Sequence, residues 1–228
     1  MLRPKKFTGV VLLVLMIFGA GSYLLGWSSI LSVKAIEITG APTKESELAV
    51  SRSLEISIGD KLARVDPRAI SNRLRSFDWI ESSRVSRNWI SRKVSISLRT
   101  REAIALYSEP GKPQVALDAS GKTFATPTMI KSGLPRVSAT SVESGLAAIK
   151  LFTELPTSFS KSIERMSALR QDNFLIYGKF SGQDIRIIWG DGKDTDLKVE
   201  VIDAILQRVE NKNLRMIDVS APHAPIVK

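Results

Sequence analysis

An uncharged apolar run near the N-terminus is the strongest pattern in the sequence. No charged residue occurs between Lys6 and Lys34, and residues 7–27 are almost wholly apolar. At a rise of about 1.5 Å per residue, a helix over this run is long enough to cross a hydrocarbon core of about 30 Å. Tyr23 and Trp27 stand where interfacial aromatic side chains anchor the far end of such a helix. The pattern predicts a transmembrane helix over residues 7–27.

A basic tail sets the predicted orientation of that helix. Residues 1–6 carry Arg3, Lys5 and Lys6, and positive charge on a short leading segment favours the cytoplasmic side. The chain beyond the helix is then expected outside the plasma membrane. The competing interpretation is a cleaved signal peptide, with residues 10–18 as its apolar region and small residues just beyond as the cleavage site. Both interpretations export the rest of the chain.

Short periodic segments follow the apolar run and predict a first folded unit over residues 33–100. Alternating apolar and polar residues at 33–39 predict a strand, and a further pair of strands is predicted between 85 and 98. Two helices separate the first strand from the pair. One covers 43–54, and the other begins at Asp66, an N-cap residue directly before proline. The order is β-α-α-β-β, and we expect both helices to pack on one face of a three-stranded sheet.

A second, β-rich unit is predicted over residues 101–220. It begins with a hairpin over 115–124, and Thr140 with Glu143 then matches a capping box before an apolar helix. Alternation predicts three strands, at residues 163–169, 174–180 and 184–189, and a closing strand at 215–219. A helix is predicted before the closing strand, at residues 196–209. The expected apolar face of that last helix consists of Leu197, Val201, Ala204, Ile205 and Val209. The chain is therefore predicted to be an α+β protein with a single N-terminal transmembrane helix.

Composition narrows the possible chemistry. The sequence has 228 residues, no cysteine and a formal net charge of +10. An exported chain without cysteine is held by packing alone and has no thiolate nucleophile or thiolate metal site. Outside the cytoplasm, positive charge suits anionic lipid or wall polymer, and nucleic acid is not an expected partner. A basic run is interpreted first as a solvated sheet face and second as an anion-binding surface; it contains Arg84, Arg87, Arg92, Lys93, Arg99 and Arg101.

No residue pattern points to catalysis, a metal or a cofactor. The single histidine, His223, lies in the tail, and no base is placed for a serine nucleophile. The acidic loop that begins at Asp191 lacks the spacing of a calcium-binding EF-hand, and a turn before a helix N-terminus explains it better. A glycan-binding module is disfavoured because Trp79 and Trp89 are assigned to the core. We expect a protein without enzyme activity, and an exported wall hydrolase with two carboxylates is the remaining enzyme alternative.

Ordered motifs along the chain resemble the bacterial cell-division family FtsQ/DivIB. The resemblance covers nearly the whole chain, and the motifs keep their order and spacing. The similar segments are the basic tail, the single span, the strand ending at Gly40, Ile58-Gly59-Asp60, Phe77-Asp78-Trp79-Ile80, Val85-Ser86-Arg87-Asn88-Trp89, Leu134-Pro135 and Ile217-Asp218-Val219-Ser220.

The resemblance implies a domain organisation and a role. A POTRA domain is implied over residues 33–100, the family's β domain over 101–220 and a short tail over 221–228. The implied role is a divisome scaffold that binds other bitopic division proteins, such as FtsB and FtsL, and links them to the septal wall synthase. The implied location is the plasma membrane at the division septum, with the N-terminus in the cytoplasm. A POTRA-bearing secretion or chaperone component is the alternative, although such proteins usually continue into further POTRA units or a membrane barrel.

The closing strand is the predicted partner-binding site. A late strand with apolar neighbours and an unpaired backbone edge lets a partner add a strand of its own. The competing interpretation is that Met216, Ile217 and Val219 are ordinary core residues of the last strand. The predicted binding residues are Met216, Ile217, Asp218, Val219, Ser220, Ile226 and Val227, with Arg186, Ile188 and Trp189 as neighbouring support.

Overall fold

The chain folds into two compact units. The computed structural model describes residues 4–27, 31–129 and 132–228. The first unit extends to Arg101 and the second begins at Glu102. The mixed α+β class predicted from the sequence is confirmed in both units.

The N-terminal helix α1 comprises Pro4–Trp27. Among its described side chains the large apolar ones are exposed, Leu12 by 61% and Phe18 by 71%. Within the described part of the chain, no helix combines the length and the apolar character that a bilayer crossing needs. The transmembrane helix over residues 7–27 stays a prediction. The predicted basic tail falls largely outside the described residues, which include neither Arg3 nor the side chains of Lys5 and Lys6.

The first unit has a three-stranded sheet with two helices. The strands are β1 (Ala35–Thr39), β2 (Ile80–Asn88) and β3 (Lys93–Thr100), and the helices between β1 and β2 are α2 (Lys44–Ser53) and α3 (Pro67–Leu74). The sheet order is β1-β3-β2, with β1 parallel and β2 antiparallel to β3. The predicted order β-α-α-β-β is confirmed.

Alternation along β3 explains why both helices cover the same face. Val94, Ile96 and Leu98 are buried, whereas the residues between them are more exposed. Helices α2 and α3 contribute the buried side chains of Val50 and Ile70 to this core. Burial of such side chains stabilises the fold by about 1.5–3 kcal/mol each. The solvent-facing side of the sheet carries the polar members of the alternation.

Capping side chains fix where the two helices begin. The Thr43 hydroxyl accepts a hydrogen bond from the Ser46 amide at 3.1 Å. The Asp66 carboxylate accepts one from the Arg68 amide at 2.8 Å, with proline at the first helical position. The predicted start of α3 at Asp66 is confirmed. The predicted core position of Trp79 is confirmed as well, but that of Trp89 is wrong, because the Trp89 side chain is 40% exposed.

The chain needs a glycine where it leaves β1. Gly40 has φ +84°, a left-handed conformation that residues with a β-carbon adopt at a cost. A β-carbon at this position would lie 2.0 Å from the carbonyl oxygen of Leu98 in the central strand. Glycine at position 40 therefore lets the end of β1 approach Leu98 of β3 more closely than a residue with a β-carbon would allow.

The second unit contains a nine-stranded sheet with the order β12-β11-β10-β9-β8-β7-β4-β5-β6. The pairs β4–β7, β7–β8 and β10–β11 are parallel, and the other pairs are antiparallel. The strands are β4 (Ala105–Ser108), β5 (Val115–Leu117), β6 (Thr123–Phe124), β7 (Arg136–Ala139), β8 (Ile163–Arg170), β9 (Asn173–Phe180), β10 (Gln183–Gly190), β11 (Met216–Asp218) and β12 (Ile226–Val227).

Three helices pack on one face of this sheet and form the core with it. They are α4 (Val142–Glu154), α5 (Thr157–Ser160) and α6 (Thr195–Leu206). The core joins residues of α4 and α6 with inward-facing residues of β8, β9 and β10. The predicted capping box is wrong by one residue, because the Ser141 hydroxyl, and not that of Thr140, accepts from the Ser144 amide.

The buried face of α6 differs from the predicted one. The helix buries Lys198, Val199, Ile202 and Ile205, whereas Val209 lies beyond its end and is 71% exposed. Of the predicted face, only Ile205 is buried. The competing apolar set at 199, 202 and 205 has the same helical spacing, so periodicity did not discriminate between the two faces.

Candidate binding edge

One end of the second unit's sheet brings the predicted binding residues together. Strand β10 places Arg186 opposite Met216 and Ile188 opposite Asp218 of the parallel strand β11. Strand β12 then runs antiparallel to β11 and places Ile226 opposite Asp218. Directly opposed residues in neighbouring strands point to the same side of the sheet. These five side chains therefore share the face that the helices do not cover, which we call the outer face.

The ten predicted residues divide between the core and the surface. Trp189, Ile217 and Val219 are buried, so in this conformation their side chains are core groups, as the competing interpretation held. Ile188, Met216 and Asp218 are half-buried. The exposed members are Arg186, Ser220, Ile226 and Val227.

The predicted open edge at the closing strand is wrong in its position, because the tail returns and pairs with that strand. Within the described residues β11 lies between β10 and β12, and β12 is the terminal strand at this side of the sheet. The Val219 amide is also occupied, because it donates to the Ile188 carbonyl at 2.9 Å. The accessible backbone edge therefore belongs to the tail.

The register of β12 shows which of its backbone groups face outward. Met216 and Lys228 exchange two backbone hydrogen bonds, each 3.0 Å long. In an antiparallel pair such bonded positions alternate with unbonded ones, so the N–H and C=O of Val227 point away from β11. The next outward position along the strand is Pro225, which has no N–H. Val227 is thus the single outward donor of residues 225–227.

Polar contacts shape the outer face beside this edge. The Arg186 guanidinium lies 3.2 Å from the Met216 sulfur, and on its other side Arg186 is opposite Tyr177 of β9. The Arg165 guanidinium lies 4.6 Å from the centre of the Tyr177 ring, within the range of a cation–π contact. Apolar and basic groups therefore alternate across four neighbouring strands.

A tight turn ends β11 and sends the chain towards β12. The Asp218 carboxylate accepts hydrogen bonds from the Ser220 amide at 2.9 Å and from its hydroxyl at 2.7 Å. Gly190, with φ +73°, approaches so closely that a β-carbon there would lie 2.8 Å from the Ser220 β-carbon. The hydrogen bonds from Ser220 to Asp218 and the close packing against Gly190 thus both hold this turn in place.

Helix α6 carries a buried lysine that contacts the end of strand β10. Lys198 is 1% exposed, and its ammonium donates to the carbonyl oxygen of Asp191 at 2.9 Å and to its carboxylate at 3.1 Å. The ammonium also lies 5.6 Å from the centre of the Trp189 ring. The hydrogen bond from Lys198 lowers the pKa of the Asp191 carboxyl, and the Lys193 backbone amide adds to this effect. The ion pair ties the loop after β10 to α6.

The arrangement is suited to binding. Over the described ranges there is no group of three or more His, Asp or Glu side chains placed to hold a metal ion. The accessible groups are one strand edge, exposed Ile226 and Val227, and the basic and apolar side chains of the outer face. Sequence reasoning identified these residues but missed that the backbone edge lies at Val227, a point that only the register of the tail reveals.

Comparison with known proteins agrees with this architecture. Residues 31–101 match the family model described as "POTRA domain, FtsQ-type". A cell division protein FtsQ from Streptomyces collinus is 25% identical over 98% of this chain and 88% of its own length. FtsQ proteins from Streptomyces griseus (27% identity, 88% of this chain, 98% of the relative) and Mycobacteroides abscessus (26%, 96% and 68%) are also similar. Residues 31–101 therefore match an FtsQ-type POTRA domain, and the chain is similar along nearly its whole length to bacterial cell division proteins FtsQ.

Proposed function

We propose that this protein is a non-enzymatic bitopic scaffold of the bacterial division machinery. In this proposal α1 anchors the chain in the plasma membrane at the septum, with the N-terminus in the cytoplasm and both folded units outside. The uncharged run between Lys6 and Lys34 and the exposed apolar side chains of α1 support the anchor. The names of the similar proteins support the role in division.

The strand edge at Val227 is the observation that carries the binding proposal. An extended segment of a partner pairs with the outward N–H and C=O of Val227 and continues the sheet. The partners are other bitopic division proteins of the FtsB and FtsL kind, and through them the septal wall synthase. Backbone pairing alone accepts almost any sequence, so the choice of partner must come from side chains.

The outer face supplies those side chains. Ile226 is 56% exposed and borders the added strand, and half-buried Met216 lies on the same face one strand further in, so both add apolar surface to this face. Arg186 adds a positive charge on the same face, two strands in from the edge, and within the described residues it has no carboxylate within ion-pair distance. A partner segment with apolar residues at alternate positions and a nearby acidic side chain fits this surface.

Proline at the edge tests this proposal. In Val227→Pro the outward donor is lost, whereas the hydrogen bonds between β11 and β12 are retained because the Val227 N–H does not take part in them. We expect at least about a tenfold loss of affinity for purified FtsB-like and FtsL-like proteins of the same cell, since one lost hydrogen bond and a clash against the added strand cost more than about 1.4 kcal/mol. Affinity is measured with the full chain in detergent or nanodiscs.

Val227→Ala is the matched control for that experiment. It shortens the same side chain but keeps the N–H, so binding should change by less than about threefold. Both variants should retain the circular dichroism spectrum and melting temperature of the parent. Equal binding by the proline variant and the parent would rule out strand addition at β12. Binding by neither the parent nor the control would rule out these partners.

A further inference from the structure

Three exposed apolar side chains lie at one end of the first unit, which we call the proximal end. Ile58 is 73% exposed, Trp89 40% and Ile90 96%. The remaining large apolar side chains of β1, β2 and β3 are buried or half-buried. Exposed apolar groups gathered at one end of a small domain mark a contact surface more often than scattered ones do.

Backbone hydrogen bonds place the two loops that carry these side chains beside the start of β1. The Gly59 amide donates to the Val33 carbonyl, and the Val33 amide donates to the Asp60 carbonyl, each at 2.8 Å. The Lys34 amide donates to the Arg92 carbonyl, also at 2.8 Å. The loop with Ile58 and the turn with Trp89 and Ile90 therefore flank the two residues that precede β1.

The turn is built so that its apolar residues point outward. The Asn88 side-chain oxygen accepts hydrogen bonds from the amides of Ile90 and Ser91, both at 3.0 Å, which fixes the turn that presents Ile90. The Arg87 guanidinium lies 5.3 Å from the centre of the Trp89 ring. The same guanidinium donates to the Val65 carbonyl at 2.8 Å. Trp89 is thereby held against a cation on the surface and away from the core.

Basic residues outnumber acidic ones in the segments that form the proximal end. Lys34, Lys61, Arg64 and Arg92 belong to the segments that form the proximal end, and Lys34 and Arg64 are exposed. The loop with Ile58 also contains two acidic residues: the Asp60 carboxylate accepts a hydrogen bond from the Ser57 amide at 2.7 Å, and the Glu55 carboxylate pairs with Arg73 at 2.7 Å. Exposed tryptophan and isoleucine next to lysine and arginine are the composition that binds the interface of an anionic bilayer.

Chain connectivity brings this end close to the anchor. Helix α1 ends at Trp27, and Val33 follows six positions later. A fully extended chain covers about 3.6 Å per residue, so Val33 lies within about 20 Å of the end of α1. The loops hydrogen-bonded to Val33 and Lys34 are therefore the part of the first unit that is nearest to the membrane once α1 is inserted.

We propose that the proximal end of the first unit rests in the headgroup layer of the bilayer that holds α1. Ile58, Trp89 and Ile90 enter the layer, and Lys34, Lys61, Arg64 and Arg92 contact lipid phosphates. The inference rests on the proposed anchor and adds a second attachment to it. It assigns the POTRA domain a fixed distance and orientation at the membrane surface, with β2 and β3 rising away from it.

A single cysteine reports this contact, because the natural chain has none. Ser91→Cys places an environment-sensitive fluorophore, nitrobenzoxadiazole, in the turn beside Ile90. Ser82→Cys places it in β2, about 20 Å away towards the other end of the strand. The full-length variants are reconstituted in vesicles of phosphatidylcholine and phosphatidylglycerol that contain lipids spin-labelled near the headgroup. We expect quenching at residue 91 to exceed that at residue 82 by about threefold or more, since quenching of this kind requires the few-ångström proximity that a residue in the interfacial layer has.

Two further measurements keep the test decisive. Trp89→Ser with Ile90→Ser, in the Ser91→Cys background, removes exposed side chains only and should bring quenching down to the level at residue 82. Quenching at residue 91 that equals that at residue 82 in the otherwise natural chain would overturn the inference. Extraction at alkaline pH separates the two proposals. A chain that resists extraction but shows no quenching refutes the membrane contact alone, whereas an extracted chain refutes the anchor and the contact together.

Discussion

Alanine at position 40 is expected to destabilise the first unit selectively. Gly40→Ala places a β-carbon 2.0 Å from the Leu98 carbonyl oxygen and forces a residue with a β-carbon to φ +84°. The backbone conformation alone costs about 1 kcal/mol, and the overlap requires β1 or β3 to move, so we expect a total loss of at least about 3 kcal/mol. Hydrogen exchange of the full chain measures this directly, because protection of β1 and β3 should fall by about a hundredfold or more while β8 and β9 keep theirs.

Gly59→Ala is the control that isolates the conformational term. Gly59 has φ +99°, but a β-carbon there would meet no atom within 4 Å. We expect this variant to lose about 1 kcal/mol. Equal losses in the two variants would show that the close approach at Leu98 contributes nothing and that backbone conformation accounts for the whole effect.

Loss of the Asp191 charge is expected to destabilise the second unit and to change how its stability depends on pH. In Asp191→Asn the buried Lys198 ammonium keeps a carbonyl partner but loses its carboxylate, which costs about 2 kcal/mol near neutral pH. Because the pKa of Asp191 is lowered by folding, its contribution is present above the unfolded pKa of about 3.9 and disappears as the pH falls through the folded value. The difference between parent and variant should therefore shrink as the pH falls below the unfolded pKa of about 3.9 in denaturant titrations.

Two matched variants define what that result means. Asp194→Asn makes the same change in the same loop, at an exposed side chain that makes no capping hydrogen bond, and should be nearly neutral. Lys198→Met removes the buried charge itself and replaces it with an apolar side chain of similar length, so it should cost less than Asp191→Asn. A larger loss for Lys198→Met than for Asp191→Asn would show that the ammonium is stabilised chiefly by groups other than this carboxylate.

Local signals explain why much of the first unit was predictable. Asp66 before proline marks the start of α3 in the sequence, and the structure shows the same cap, because both residues act on the nearest helical turn. Alternation at Val94, Ile96 and Leu98 likewise predicts a strand without reference to the rest of the chain. Trp89 shows the limit of this reasoning. Its size suggested the core, whereas its place in a turn beside Arg87 keeps it at the surface.

The second unit depended more on contacts between distant residues. The predicted face of α6 did not include Lys198, whose burial depends on its hydrogen bonds to Asp191, a contact between residues of a loop and a helix that periodicity does not report. The unpaired edge expected at the closing strand β11 lies instead on the tail strand β12. Val227 pairs with Ile217 because the chain reverses its direction after Ser220. Strand β12 has only two residues, which is too short for an alternating pattern to reveal it in the sequence.

The single outward donor at Val227 has a consequence for the lifetime of any complex at this edge. A partner strand gains only a few backbone hydrogen bonds there, each with a net value of about 1 kcal/mol, because Pro225 interrupts the row of donors. Two copies of the chain that paired edge to edge at β12 would likewise gain few backbone hydrogen bonds, so this edge favours self-association only weakly. Such an edge suits an assembly that must come apart after each round of use and be rebuilt elsewhere.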